Sequence, residues 1–446
     1  ERSGSVGEGT GWQPLPLVID GPDGRIAAAV PAYGKSHSQG EYVFDHGWAD
    51  AWERAGGRYY PKIQIAAPFS PVPGPRLLLR DDAFAPALIA GIETLVERNS
   101  LSSAHATFVE ADQVPLFEAA GWLIREDSQF HWTNRGYGDF GDFLADLSSE
   151  KRKNIRKERA RAVAGLEIVH LTGGALTEAH WDIFWDFYQD TGARKWGTPY
   201  LTRSFFSLLS ETMADKVLLV LALREGRAIA GALNLIGGDA LYGRYWGCSE
   251  DVANLHFELC YYQAIDIAIA RGLKRVEAGA QGGHKLARGY APEPTWSAHH
   301  IPNPGFRRAV ADFLAAERAG VQQDRQWLAE RTPFRKGQRS GDAHLRRDHP
   351  GARLALGLGN LAGGHFLGDL RAHRLAFLAT AQGGQVEPFM RFDKIDRHAA
   401  RATAIGDAQI ETALRRSACR VRQATFHQKL RALATIAHDP CSLCPG

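Results

Sequence analysis

The hydrophobic and polar positions in the third quarter of the chain follow two periods in turn. Residues 241–247 read as a strand with polar and aromatic side chains, and residues 257–271 repeat apolar side chains at helical spacing. A Gly-Leu turn leads into a short strand at 275–278, which ends in a Gly-rich polar cluster closing with His284 and Lys285. This order predicts a βαβ unit with chemistry at the carboxyl end of its second strand.

Two further stretches, 17–52 and 221–251, share one pattern. Each reads as strand, charged Gly turn, strand, polar turn, strand, with the charged turns at 20–24 and 224–226. A helix at about 85–98 follows the first stretch. The pattern predicts an antiparallel meander made twice, once in each half of the body.

Composition divides the 446 residues into a body and a tail. Residues 1–337 carry 37 Lys/Arg against 41 Asp/Glu, whereas residues 338–446 carry 16 against 9 and contain no Trp or Tyr. The mildly acidic body argues against a general nucleic-acid surface, so no DNA partner is expected. The tail is predicted to be a poorly ordered extension or, alternatively, a small basic accessory domain.

Five cysteines in this length do not form a disulfide framework. Cys248 and Cys260 are expected to be buried thiols in a reducing cytoplasm. Cys441 and Cys444 form a single C-x-x-C pair, which without a second pair predicts no metal site. No apolar run reaches the roughly 18–20 residues of a membrane helix, and no signal peptide is recognised. A cytoplasmic protein with no integral membrane segment is therefore expected.

Short motifs spread over about residues 11–337 carry a family resemblance. They are YGRYWGC (242–248), LHFELCYYQAI (255–265), GAQGGHKLARG (279–289) and PEPTWSAHH (292–300), with YQDTGARKWGTPYL (188–201), GRAIAGALN (226–234), VPAYGKSHSQGEYVFDHGWADAW (30–52) and GGRYYPKIQ (56–64) upstream. In combination they resemble the GNAT acyltransferase superfamily, and more closely its FemAB-like group of peptidoglycan biosynthesis or recognition. The family pattern has an acidic residue where this chain has Gly283.

The resemblance implies an α/β (α+β) fold of two tandem GNAT-like domains with mixed, splayed sheets flanked by helices. They would span 1–138 and 173–337, joined by a basic connecting helix at 139–172 and followed by the tail 338–446. The implied activity is transfer of an acyl or aminoacyl group to an amine acceptor, such as a peptidoglycan precursor or a peptide. The alternative is a non-catalytic protein of this fold that binds a peptidoglycan-like ligand.

The implied donor is a substrate and not a permanently bound cofactor. Backbone amides at the start of the predicted helix are expected to hold its phosphates, at Asn254, Leu255, His256 and Phe257. This segment lacks the Gly-rich loop of acetyl-CoA enzymes. Acyl-CoA and aminoacyl-tRNA both remain candidate donors, and the missing loop fits a tRNA partner.

His284 is the first candidate for the catalytic base, because imidazole titrates near neutral pH. A hydrogen-bonded loop histidine is the alternative. Glu277 is the rival base, with a salt bridge to Arg275 or Arg244 as its alternative role. Tyr242 completes the catalytic candidates.

Alternation along the strand is expected to place Tyr242, Arg244 and Trp246 on one face. The basic segment 151–161 is expected to contact an anionic donor or lipid headgroup, or to be a solvated connecting helix. Lys285 could alternatively cap a strand end. The positive side chains expected to bind substrate or an anion are Lys285, Arg288, Arg194, Lys195, Arg152 and Arg156.

The polar turn 35–38, with Glu41, Asp45 and His46 beyond it, is expected to close over the cleft between the domains. The stronger alternative is structural packing.

Overall fold

The computed structural model describes residues 1–195, 199–279 and 283–335, with only the backbone of 193–195 and 283. The strands are β1 Trp12–Pro14, β2 Leu17–Asp20, β3 Ile26–Val30, β4 Ala32–Lys35, β5 Lys62–Ile65, β6 Leu78–Leu79, β7 Ala104–Val109, β8 Leu123–Thr133, β9 Glu167–Leu171, β10 Val217–Arg224, β11 Arg227–Ile236, β12 Ala240–Cys248, β13 Arg275–Glu277 and β14 Ala291–His300. The helices are α1 His46–Arg54, α2 Ala85–Arg98, α3 Val114–Ala119, α4 Phe140–Asp146, α5 Ser149–Ala162, α6 Glu178–Lys195, α7 Arg203–Met213, α8 Leu255–Phe257, α9 Gln263–Ala270 and α10 Pro304–Ala329. The tail from 338, including the C-x-x-C pair, lies outside the described residues.

Eleven strands form one mixed sheet in the order β1-β4-β5-β7-β14-β8-β13-β12-β11-β10-β9, and β2-β3-β6 form a second sheet. Each half of the large sheet contains one parallel pair, β5 with β7 and β12 with β13, and its other pairs are antiparallel. The predicted α/β class with mixed sheets flanked by helices is confirmed.

Strand β14 joins the two halves of the body. It comes after β13 in the chain, yet it pairs with β7 on one side and with β8 on the other. Trp296, for example, lies opposite both Val109 and Glu126. The halves therefore share one continuous sheet, and the domain boundaries at 138 and 172 stay a prediction.

The meander is present in the second stretch and incomplete in the first. Strands β10, β11 and β12 form the expected antiparallel set. In the first stretch β2 and β3 form the expected hairpin, but β4 belongs to the large sheet. Pro31 separates β3 from β4, since proline has no N–H to continue a ladder. The prediction of a third strand after the polar turn is wrong, because the segment after that turn folds over the buried Lys35 and Lys62 instead.

One face of the large sheet is apolar and covered by helices in both halves, and in the carboxyl-terminal half α6 and α7 also cover the opposite face. In the amino-terminal half α2 and α3 pack on it through residues such as Ile92 and Phe117. In the carboxyl-terminal half the helical segment 255–270 covers Leu241 and Val276. Burial of these apolar side chains is the main force that holds the layers together.

The opposite face of the amino-terminal half carries a buried charged network. Lys62 Nζ donates to Glu41 Oε2 at 2.8 Å, to Asp45 Oδ2 at 2.5 Å and to Ser38 Oγ at 2.8 Å. Burial alone would lower the Lys62 pKa, but the two carboxylates outweigh it and raise that pKa. The segment that carries Ser38, Glu41 and Asp45 is thus fixed by internal packing, in line with the structural alternative.

Lys35 is equally buried but is held differently. Its Nζ lies 3.7 Å from the ring centre of Trp12 and donates to the carbonyl of Gln39 at 3.0 Å. Glu41 Oε1 is 3.7 Å away. Burial lowers the Lys35 pKa well below its usual range, because cation–π contact and one distant carboxylate replace little of the missing hydration. Of the two lysines, Lys62 is the one that neutralises the buried acids.

A chain of buried histidines extends this network to β14. His105 Nδ1 lies 2.8 Å from His299 Nδ1, so one ring donates and the other accepts. The other ring nitrogens contact Ser103 Oγ at 2.7 Å and Ser297 Oγ at 2.8 Å. Burial lowers the pKa of His105 to about 3 and lowers that of His299 as well. Both rings are therefore neutral at pH 7.

These two histidines predict acid lability. Below pH 6.5 the unfolded chain binds protons that the folded protein cannot, so stability falls as the pH falls, by about 1.4 kcal/mol per pH unit for each histidine. We expect His299→Asn to reduce the slope of unfolding free energy between pH 6.5 and 5, as measured by urea unfolding. His46→Asn, at an exposed position, is the control. An unchanged slope in His299→Asn would contradict this account.

Candidate active site

Strands β12 and β13 separate soon after they pair. They are in register only at Ala240–Arg275, Leu241–Val276 and Tyr242–Glu277. Beyond this point β12 continues to Cys248, while the chain after β13 stays hydrogen-bonded to Phe130 of β8. Among the described residues, the edge of β12 from 243 to 247 therefore pairs with no strand on this side, and this unpaired stretch is the gap between the two strands. An extended donor can lie in such a gap, with strand amides polarising its carbonyl.

Glu277 lies at the point of separation. Its Oε1 accepts a hydrogen bond from Arg275 Nε at 2.9 Å, which is the ion pair anticipated as its alternative role. Its Oε2 is buried and accepts no hydrogen bond from the residues that the structure describes. The side chain is 6 % exposed, and burial raises its pKa although Arg275 opposes this. A carboxylate with one unsatisfied oxygen and a raised pKa is suited to accept a proton.

Tyr242 is the Cα partner of Glu277 on the neighbouring strand. Its hydroxyl lies 3.4 Å from Arg275 Nη2, and burial raises its pKa. Arg275 also binds Asp239 through Nη1 at 2.7 Å. Arg275 therefore ties the two predicted catalytic groups to the start of β12.

The expectation that Tyr242, Arg244 and Trp246 share a face is wrong. The register between β11 and β12 shifts at Arg244, because Leu233 pairs with Tyr245 but the next residue pairs with Gly243. A bulge of this kind changes the alternation of side chains. Trp246 thus packs on the face covered by the helical segment 255–270. Arg244 instead donates to the carbonyl of Phe69 on the opposite face.

His284 and Glu277 approach the gap from different sides of the sheet. His284 Nε2 lies 3.0 Å from the Tyr261 hydroxyl, and its ring packs beside Phe257 and Tyr261 of the helical layer. Burial lowers the His284 pKa, with Arg288 nearby adding to this effect. The structure therefore does not place the two candidate bases against one reacting atom.

Lys285 and Arg288 are turned inward. Lys285 Nζ donates to the carbonyls of Ala278 at 2.6 Å and Gly279 at 2.9 Å, and burial lowers its pKa to about 8. Arg288 donates to Glu158 Oε2 at 2.9 Å, and its guanidinium lies 3.5 Å from the ring centre of Phe257. Both cations hold the polar cluster in place, and the strand-end cap considered for Lys285 is the contact observed.

The expected donor-binding segment begins a helix with an unusual second turn. Asn254 has a positive φ of 67° and precedes α8. Residues Glu258–Tyr262 then form a π-helical turn, a feature that is frequent at functional sites. Leu255 is buried, whereas Phe257 is half-buried with the guanidinium of Arg288 3.5 Å from its ring centre. The role expected for this segment in binding donor phosphates stays a prediction.

The basic helix α5 has an inner and an outer side. Arg159 binds Glu258 Oε1 at 2.8 Å and Asp266 Oδ2 at 2.7 Å, so it fastens α5 to the π-helical turn. Arg156 is exposed and Arg152 is half-buried, and neither forms an ion pair within the described residues. Lys153, Lys157 and Arg161 are exposed as well, whereas Lys151 is half-buried.

The difference between these two sides predicts that two matched changes in α5 lower the free energy of unfolding by very different amounts. Arg159→Gln leaves Glu258, which is fully buried, without its guanidinium partner and should lower the free energy of unfolding by about 3 kcal/mol. Arg156→Gln, at an exposed position of the same helix, should change it by less than about 0.5 kcal/mol. Chemical denaturation of both variants measures the difference. Equal stabilities would show that Arg159 does not anchor the helix.

Arg194 and Lys195 lie where only the backbone is described, and Trp196 is outside the described residues. Their predicted roles stay predictions. Gly283 begins a short 3₁₀ helix that ends at Arg288.

Sequence reasoning missed His131 and Gln129 of β8. His131 is the Cα partner of Glu277 on the side away from Tyr242. Its Nε2 lies 3.8 Å from Glu277 Oε2 and 3.4 Å from Gln129 Oε1. Alternation in SQFHWT, with polar Gln129 and His131 between aromatic residues, is the signal that was available.

A cavity of about 500 Å³ lies at the carboxyl end of β12. The lining residues are Ile183, Asp186, Phe187, Asp190, Ala228, Cys248 and Ser249. Among the described residues, no group of three or more His, Cys, Asp or Glu side chains is arranged to hold a metal ion. In that same part of the chain, no helix is long and apolar enough to cross a membrane.

Comparison with known proteins places these features in a family. Similar solved structures include L-PGS from Bacillus licheniformis (10 % identity, TM-score 0.45, covering 74 % of this chain and 92 % of that one) and FemX (12 %, 0.44, 68 % and 91 %). A tandem GNAT protein from the clavulanic acid biosynthesis pathway is also similar (14 %, 0.37, 66 % and 84 %). No curated protein matches the chain significantly. The model of the FemAB-like family, described as peptidoglycan biosynthesis/recognition, matches residues 1–336. Since this match spans well over half of the sequence, the chain belongs to the FemAB-like family.

Proposed function

We propose that the protein transfers an acyl or aminoacyl group to an amine of a peptidoglycan precursor or a peptide. The observation that carries the proposal is the gap between β12 and β13, with the unsatisfied Glu277 carboxylate at its start. The gap can hold an extended donor, and the carboxylate can take the proton that the acceptor ammonium must lose before its nitrogen attacks the acyl carbon and the donor's tRNA or thiol leaves. Membership of a family of peptidoglycan biosynthesis or recognition supports the class of acceptor.

In this proposal the donor is an aminoacyl-tRNA, with acyl-CoA as the alternative, and neither is bound permanently. The helix start at Asn254 has no Gly-rich pyrophosphate loop. The outer side of α5 instead offers several cations, and α5 is fastened by Arg159 to the helical segment that borders the gap. Phosphates of a nucleic-acid backbone are attracted to such a cluster.

The test is a transfer assay with the full chain. Charged tRNA and acetyl-CoA are supplied separately with muropeptide acceptors, and products are identified by mass spectrometry. Product with one donor supports the proposal and names that donor. Tight muropeptide binding without product from either donor would overturn it and support a non-catalytic protein that recognises peptidoglycan fragments.

The outer side of α5 gives a prediction of its own. Changing Arg152 and Arg156 together to Gln should weaken tRNA binding. The dependence of log K on log salt should become shallower by about 0.7–0.9 for each phosphate that the variant no longer neutralises. The double change Arg54→Gln with Arg98→Gln removes the same charge from exposed positions on α1 and α2 and serves as the control. Equal salt slopes in both double variants would mean that α5 is a solvated connecting helix.

A further inference from the structure

Within the described residues, Glu277 Oε2 accepts no hydrogen bond, and His131 is a neighbour that is able to donate one. His131 lies on the adjacent strand, on the same face, and is 11 % exposed. Its Nε2 is 3.8 Å from Glu277 Oε2, too far for a hydrogen bond but within reach of a small rotation of the ring. Catalytic hydrogen bonds are often long in the absence of substrate and shorten when it binds.

The surroundings of His131 decide which nitrogen carries the hydrogen. Gln129 Nε2 donates to the carbonyl of Pro71 at 2.6 Å, which turns Gln129 Oε1 towards His131. His131 Nε2 thus lies between two oxygens that can only accept. Burial, with help from Arg275 and Lys285, lowers the His131 pKa to about 4, so the ring is neutral at pH 7. A neutral ring with hydrogen on Nε2 can serve either oxygen.

We propose that His131 is a positioning residue for Glu277, turning its Nε2–H from Gln129 Oε1 to Glu277 Oε2 and aiming that carboxylate at the acceptor amine. This inference rests on the proposed function of Glu277 as the base. No covalent step is involved: the amine proton passes to Glu277, and His131 keeps its own hydrogen throughout.

Several charged groups also act on the pair. They are Arg275 on β13, Arg244 on β12, Asp239 before β12 and Lys285 in the polar cluster, with Tyr242 as the neighbouring phenol. Glu293 of β14 lies opposite Gln129, two residues from His131 along the register. None of these groups is altered in the variants below, so their contributions stay constant across the comparison.

The experiment follows the Glu277 carboxyl by ¹³C NMR in glutamate-labelled full-length protein saturated with a muropeptide acceptor, with Glu277→Gln used to assign its signal. His131→Phe and His131→Met remove the donor, and His131→Gln keeps one. Removal of a hydrogen bond to a charged group should raise the Glu277 pKa by about 1–2 pH units in the Phe and Met variants. The Gln variant should stay close to the unchanged protein. The acid limb of kcat, which reports the complex with substrate, should move by the same amount.

A Glu277 pKa that is the same in the Met variant and in the unchanged protein would overturn the inference. An equal rise in the Gln and Met variants would also overturn it, because it would show that ring packing matters and donation does not. The expected shift in a protein that transfers nothing would support the His131–Glu277 contact and count against the proposed transfer. Two variants without the donor are included so that the comparison can still be made if one of them does not fold.

Discussion

Glu277→Gln is expected to lower turnover by about 10²–10⁴-fold, the usual contribution of a positioned base. The amide keeps an oxygen for Arg275 Nε but cannot take a proton. Arg275 keeps Asp239 as a charged partner, so the free energy of unfolding should change little. Steady-state transfer kinetics and urea unfolding of the same preparation measure both quantities.

His284→Ala is the comparison in that assay. His284 Nε2 forms a hydrogen bond with the Tyr261 hydroxyl on the face covered by the helical segment 255–270. We therefore expect removal of the imidazole to reduce turnover by less than about tenfold. Full activity in the Glu277 variant together with a large loss in the His284 variant would assign the base to His284. Full activity in both would leave water or substrate to accept the proton.

Lys62→Met is expected to destabilise the amino-terminal half by about 3–5 kcal/mol. The change leaves the carboxylates of Glu41 and Asp45 buried without their cation, and their side chains are 2 % and 4 % exposed. The Tyr59 hydroxyl still donates to Asp45 Oδ2 at 2.7 Å and Lys35 Nζ lies 3.7 Å from Glu41 Oε1, but neither contact replaces the Lys62 ammonium that binds both carboxylates. Equilibrium unfolding in guanidinium chloride measures the loss of stability.

Lys35→Met is its matched control. Methionine keeps the apolar stem against the Trp12 ring, and the Nζ that it removes contacts the carbonyl of Gln39 and His37 Nδ1. We expect less than half of the destabilisation seen for Lys62→Met, because burial already disfavours a charge on Lys35. Equal destabilisation would mean that both lysines are needed as cations.

The local elements of the fold could be predicted from the sequence. Apolar spacing predicts the helix at 85–98 and the strand at 241–247, which the structure places at Ala85–Arg98 and Ala240–Cys248. Turns with Gly and charged residues predict the hairpins at 20–24 and 224–226. These features depend on neighbours a few positions apart, so the pattern of residues contains enough information.

The candidate site was predictable only in part. Alternation from Arg275 shows that it and Glu277 share a face, and this pair forms the observed salt bridge. Nothing local indicates that β8 lies on the other side of β13, so His131 could not be connected with Glu277. Nor does the run of cations in α5 show that Arg159 turns inward to Glu258, 99 positions later.

The sequence by itself determined the periods of the strands and helices, the polar cluster after β13, and motifs specific enough for the family. Only the tertiary structure decided the strand order that inserts β14 between β7 and β8, the bulge that moves Trp246 away from Tyr242, and the burial of Lys62. The physical reason is that periodicity is a property of neighbouring residues. Pairing partners and the removal of hydration are set by groups that are distant in the chain.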